Sequence, residues 1–60
     1  SNTYEKAMID GREQAQREME QRARAMGTNA IVGVSYGYET VGANGSMLLV
    51  SISGTAVVID

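Results

Sequence analysis

Ala25-Met26-Gly27-Thr28-Asn29-Ala30-Ile31-Val32-Gly33-Val34 is the stretch on which the chain turns. A helical pattern stops at its glycine, and a period-2 pattern begins three residues later. Gly27 is the residue type that ends a helix in the left-handed conformation, where a Cβ is penalised. Thr28-Asn29 is then a short connection into a strand.

Upstream, Tyr4 to Met26 contains no proline and is rich in Ala, Glu, Gln, Arg and Met, all good helix formers. Tyr4, Met8, Gly11, Ala15, Met19, Ala23 and Met26 step by three or four and draw one apolar stripe, with Ile9 outside it. Gly11 and Ala15 at the middle of the stripe let the helix axis sit close to what it covers. Ser1, Asn2 and Thr3 are N-cap candidates, and Glu5 stands three residues after Asn2, at capping-box spacing.

Downstream, Ala30, Val32, Val34, Tyr36 and Tyr38 alternate with Ile31, Gly33, Ser35, Gly37 and Glu39. The first, bulkier set is expected to meet the helix, and the second to face water, a second sheet or another subunit. Val41 to Ser46 forms the turn, with Asn44-Gly45 as a two-residue hairpin signal. The second strand is expected from Met47 to Ile59, with Leu48, Val50, Ile52, Ala56 and Val58 as its apolar set. Gly54 interrupts it and invites a bulge. The fold class is therefore α+β: two layers, one long helix on an antiparallel hairpin, in the order helix, strand, strand.

Sixty residues form at most one domain with a thin core. The usual staples for such a size are missing, because the chain has no Cys and no His. A lone hairpin under one helix is barely viable in water, and its two strand edges carry almost no protecting charge. The sheet is expected to be completed by oligomerisation or by a strand outside these residues. A net charge of −2, with Arg12, Arg17, Arg22 and Arg24 interleaved among Glu13, Glu18 and Glu20, reads as a solvated face with intrahelical pairs. Nucleic acid is not an expected partner, and neither is a membrane. No signal-peptide pattern is read, and a cytoplasmic location is the expectation.

Ala23 to Val34 resembles the centre of the YbjQ family, small bacterial and archaeal proteins that carry a heavy-metal-binding label. The resemblance takes in Tyr4-Glu5-Lys6 and Arg12, then Tyr38-Glu39-Thr40-Val41-Gly42, Gly45-Ser46-Met47-Leu48, Val50-Ser51 and Ser53-Gly54-Thr55-Ala56-Val57. It implies a single domain over residues 1–60 that corresponds to the C-terminal part of the family's chain and lacks its N-terminal strand. The chain is then a fragment, a naturally short relative, or one that completes its sheet from a neighbour. The resemblance also implies homo-oligomeric rings, with five-fold assemblies expected.

The label does not suit the residues. Soft metals take thiolate or imidazole ligands, and neither exists here. What remains is weak divalent binding through Asp10, Glu13, Glu18, Glu20 and Glu39, with four Met thioethers assigned to packing. No cofactor and no metal ligand set is expected. No catalytic residue is expected either, since Ser35, Ser51, Ser53 and Thr55 have no base and Glu39 is the lone acid among the strands. The reading that remains is a non-enzymatic assembly module whose partner is itself. Gly33, Gly54, Thr55, Ala56, Val57, Val58 and Ile59 are its expected interface, because a continuous apolar run suits a segment covered on both faces. Small residues such as Gly33, Ser35, Gly37 and Ser53 then line any ligand surface between subunits. A small-molecule carrier at such interfaces, with an aromatic ligand against Tyr36 and Tyr38, is a further alternative.

Overall fold

The computed structural model describes residues 2–60. Its elements are α1 (Thr3–Ala25), β1 (Ala30–Val41), a single 3-10 turn (Ala43–Gly45) and β2 (Met47–Val57). The α+β order helix, strand, strand is as the residue pattern predicts. No helix among the described residues is long and apolar enough to cross a membrane.

Both ends of α1 are closed by their own residues. Asn2 is the N-cap: its Oδ1 accepts the Glu5 backbone N–H at 2.7 Å, and its Nδ2 donates to Glu5 Oε1 at 3.2 Å. Thr3 is already helical, and Ser1 lies outside the described residues. At the other end Gly27 takes φ +81°. Its N–H donates to the Arg24 carbonyl at 2.9 Å, and the Thr28 N–H reaches back to the Ala23 carbonyl at 3.2 Å. Those two bonds are the Schellman pattern, and the Thr28 hydroxyl adds a third donor to Ala23 O at 2.7 Å.

The apolar stripe is real only in its middle. Met8, Gly11, Ala15 and Met19 are half-buried and Ala23 is 6% exposed, whereas Tyr4 and Met26 overhang the sheet and stay exposed. Gly11 explains itself here: a Cβ added to it would lie 2.9 Å from Val50 Cγ2. The helix gives up roughly 1 kcal/mol of propensity at that glycine and gains contact with β2.

β1 and β2 pair antiparallel from Val41↔Met47 to Ala30↔Val57, with an irregularity between Val32 and Ser35. Three steps along β1, from Val32 to Ser35, match two along β2, from Thr55 to Ser53. The extra residue therefore lies in β1, where Gly33 takes φ +64°, and not in β2 as the interruption at Gly54 suggests. Gly54 sits opposite the bulge, and a Cβ there would lie 2.8 Å from Ile31 Cγ2 and 3.5 Å from Val34 Cγ2. The bulge also reverses the expected alternation at the start of β1. Val34, Tyr36 and Tyr38 share the helix side with Ile52 and Val50 as expected, but Ile31 replaces Ala30 and Val32 on that side. Val32, paired with Thr55, is 50% exposed.

The hairpin closes through a loop longer than Asn44-Gly45 alone. Gly42, Asn44 and Gly45 all have positive φ, and Gly45 N–H and Ser46 N–H donate to Gly42 O and Ala43 O. Asn-Gly supplies the left-handed pair, but inside a connection that spans 42–46. β2 ends at Val57, two residues short of the expected Ile59.

Candidate assembly surface

The expected interface residues gather at one end of the hairpin, beside the end of α1. Gly33 and Gly54 face each other across the bulge. Thr55 is exposed, Ala56 and Val57 are half-buried, and Val58 and Ile59 leave the sheet at 66% and 58% exposure. The tail is not loose. Asn29 N–H donates to Val57 O at 3.1 Å. Its side-chain amide then bonds Ile59 twice, Nδ2 to the carbonyl and Oδ1 from the N–H, each at 2.8 Å. Asn29 thus acts as one more peptide unit of the ladder after the main chain of β1 has turned toward the helix. Nothing local in the sequence signals this pair, because its members lie thirty residues apart.

The sheet face away from the helix carries the pairs Val32/Thr55, Ser35/Ser53, Gly37/Ser51, Glu39/Leu49 and Val41/Met47. Small residues occupy its middle, as expected for Gly33, Ser35, Gly37 and Ser53, and larger apolar side chains its ends. Val32, Met47 and Leu49 are exposed there. Among the described residues the sheet has two strands, so each keeps one edge with no strand beside it.

On the helix side, Tyr36 is the tie between layers. The Arg12 guanidinium lies over its ring, 4.7 Å from the centroid, a cation-π contact. The Tyr36 hydroxyl donates to Gln16 Oε1 at 3.2 Å. Contact with the Tyr36 phenol, and behind it the charge of Tyr38, hold the fully exposed Arg12 above its usual pKa. One face of the Tyr36 ring is therefore already covered. Arg12 is thus a bridge to β1 and not a partner of the neighbouring glutamates. The ion pair found along the helix among the described residues is Lys6–Asp10 at 2.9 Å, which raises the Lys6 pKa chiefly through its hydrogen bond.

The acids do not converge. Asp10, Glu13, Glu18 and Glu20 are spread along the helix, Glu39 lies on the far face of the sheet opposite Leu49, and no group of three or more acids among the described residues is placed to hold a metal ion.

Residues 1–60 match a family model, YbjQ, described as "Putative heavy-metal-binding". A UPF0145 protein of Listeria monocytogenes is 55% identical over 60 residues, which is 100% of this chain and 54% of that protein. A UPF0145 protein of Clostridium botulinum is 56% identical over 57 residues, 95% of this chain and 54% of its own length. One from Listeria ivanovii is 53% identical over 60 residues, again the whole chain and 54% of the relative. The chain spans about half the length of the curated relatives it matches. No solved structure matches it. No heavy-metal site is built among the described residues: thiolate and imidazole donors are missing from the sequence and the carboxylates are dispersed.

Proposed function

Because the chain belongs to the YbjQ family, and no group of metal-ligating side chains converges among its described residues, we propose that it is a non-enzymatic module whose role is to assemble with itself into a ring. One observation carries this reading. Ala23, at 6% exposure, is the one buried residue among those described, while two strand edges and the large side chains of Val32, Met47, Leu49, Val58 and Ile59 face solvent. A core of that size does not offset the entropy of ordering the chain. Open edges and apolar surface of this extent are covered in natural proteins. Association with further copies supplies both a strand partner for each edge and a cover for the apolar face.

The test is stability against concentration. Folding linked to association makes the thermal midpoint fall on dilution, and native mass spectrometry should give a multiple of the subunit mass. A monomer with a sharp, concentration-independent transition would overturn the proposal.

A further inference from the structure

Asn44 is the one residue other than glycine with positive φ among those described, at φ +58° and ψ +27°. Of the chain's three asparagines, Asn2, Asn29 and Asn44, it alone precedes a glycine. That order has a chemistry of its own. A backbone nitrogen can attack the side-chain amide carbon of the asparagine before it, and glycine leaves that nitrogen open because it has no Cβ. We propose that Asn44 is a site of spontaneous deamidation, and that the folded loop between β1 and β2 holds the reaction off, so that opening of this loop sets its rate.

The atoms balance with water as the one co-reactant. Gly45 N bonds to Asn44 Cγ, the Cγ–Nδ2 bond breaks, and ammonia leaves with the proton that Gly45 N carried. Water then opens the resulting five-membered imide at either carbonyl. Attack at Cγ restores the backbone and leaves an aspartate. Attack at the main-chain carbonyl leaves an isoaspartate, whose backbone runs through Cβ and Cγ and is one carbon longer. Either product adds one carboxylate to a chain of net charge −2.

Three features of the loop oppose the first step. Ring closure needs Gly45 N on the side of Cβ, whereas ψ +27° sets it nearly over the Asn44 backbone nitrogen and away from the side chain. The Gly45 N–H, which must give up its proton, donates to the Gly42 carbonyl at 3.2 Å. The next amide is tied as well, Ser46 N–H to Ala43 O at 3.2 Å. Reaction therefore requires these bonds to break and ψ to turn, a local opening that costs less than global unfolding. The ladder starts at Val41↔Met47, directly outside the loop. An extra backbone carbon upsets a connection in which Gly42, Asn44 and Gly45 all hold positive φ, so the isoaspartyl product does not regain the protected form. Asp10-Gly11 is the acid version of the same pair, but Gly11 lies inside α1, whose ladder holds its N–H.

The test compares two states of one protein. The purified protein, at a concentration where circular dichroism shows its helix, is incubated at mildly alkaline pH with and without denaturing guanidinium chloride. Chymotryptic peptides are then separated, and the aspartyl and isoaspartyl forms at each asparagine are measured by tandem mass spectrometry. In denaturant Asn44 should convert well before Asn2 and Asn29. In buffer it should convert at least about tenfold more slowly, the factor that an opening cost of about 1.4 kcal/mol imposes. Gly42→Ala strains the loop without touching the reacting pair, since its φ is +86° and an added Cβ lies 3.2 Å from Ser46 Oγ. That variant should deamidate faster than the parent in buffer and at the parent's rate in denaturant. Equal parent rates with and without denaturant would overturn the proposal, and so would conversion of Asn29 or Asn2 as fast as Asn44 in denaturant. A Gly42→Ala protein that keeps both its helix and the parent's slow rate would overturn it too, because something other than the loop then protects Asn44. If Gly42→Ala loses its helix, the parent's two rates decide alone.

Discussion

β2 runs from Met47 to Val57 without interruption, and its Leu48, Val50 and Ile52 lie half-buried beneath the helix. β1 is paired to it along nearly its whole length, yet carries a bulge at Gly33, leaves Val32 and Val34 exposed, and borders an open cleft. The two strands have similar composition, so propensity does not separate them. What separates them is which one the helix chose. Gly11 brings α1 close to Val50, and that contact commits the helix to β2. β1 is left to be finished by something else, and a bulge on such an edge also limits unspecific strand addition.

The comparison breaks most visibly at the start of β1. Plain alternation places Val32 under the helix and Ile31 outside, whereas the bulge reverses them. Ile31→Asp should therefore cost about 2–3 kcal/mol, as an ionised group set against the cleft floor. Val32→Asp should cost less than about 1 kcal/mol, as a surface change. Denaturant unfolding at one fixed protomer concentration measures both. Equal losses, or the reverse order, would show that β1 runs without the bulge.

The two glycines that face each other there give a smaller and sharper contrast. Gly54→Ala would put a Cβ 2.8 Å from Ile31 Cγ2 and 3.4 Å from the Val32 carbonyl oxygen, so the ladder must move. Overpacking of that kind costs about 1–3 kcal/mol. Gly33→Ala meets nothing within 4 Å and bears only the left-handed penalty of about 1–2 kcal/mol. Their double variant should cost less than the sum if the strained bulge relaxes once for both.

Where local chemistry decides, the sequence was legible. Gly27 ends the helix and Asn2 starts it because each needs partners within a few residues, and both partners are there. Gly27→Ala should lose about 1 kcal/mol by the same left-handed penalty, read as a shift of the unfolding midpoint. No loss would mean that the helix ends elsewhere. The inward set of β2 was legible from Leu48 to Ala56, because no bulge changes its parity, whereas Val58 lies beyond the strand and is exposed. Three things were not. Glycine at 33 and glycine at 54 look alike in sequence, and only the pairing tells which strand holds the extra residue. Arg12 reads as a member of a charged helix face until Tyr36 is seen beneath it. The interface reading at Ala56–Ile59 rested on an apolar run. The structure leaves the end of that run, Val58 and Ile59, exposed, and the open cleft beside β1 emerges only from the lateral offset of the helix.

The smallest expected effect lies at Asn29, just before β1 begins, where the end of β2 would otherwise outrun it. Its amide holds Ile59 through two bonds of 2.8 Å at an exposed position. Hydrogen bonds to solvent-accessible groups contribute little net stability, about 0.5–1.5 kcal/mol at most. Asn29→Ala should therefore leave the unfolding midpoint almost unchanged while the Ile59 amide hydrogen exchanges faster, since local opening no longer breaks a bond. Asn29→Asp separates the two contacts. It keeps an acceptor for the Ile59 N–H but loses the donor to the Ile59 carbonyl and sets a carboxylate against that oxygen. Protection at Ile59 should then fall in the order Asn, Asp, Ala. Unchanged exchange in Asn29→Ala would mean that the tail is held by another contact, and that β1 hands its last ladder step to something other than this side chain.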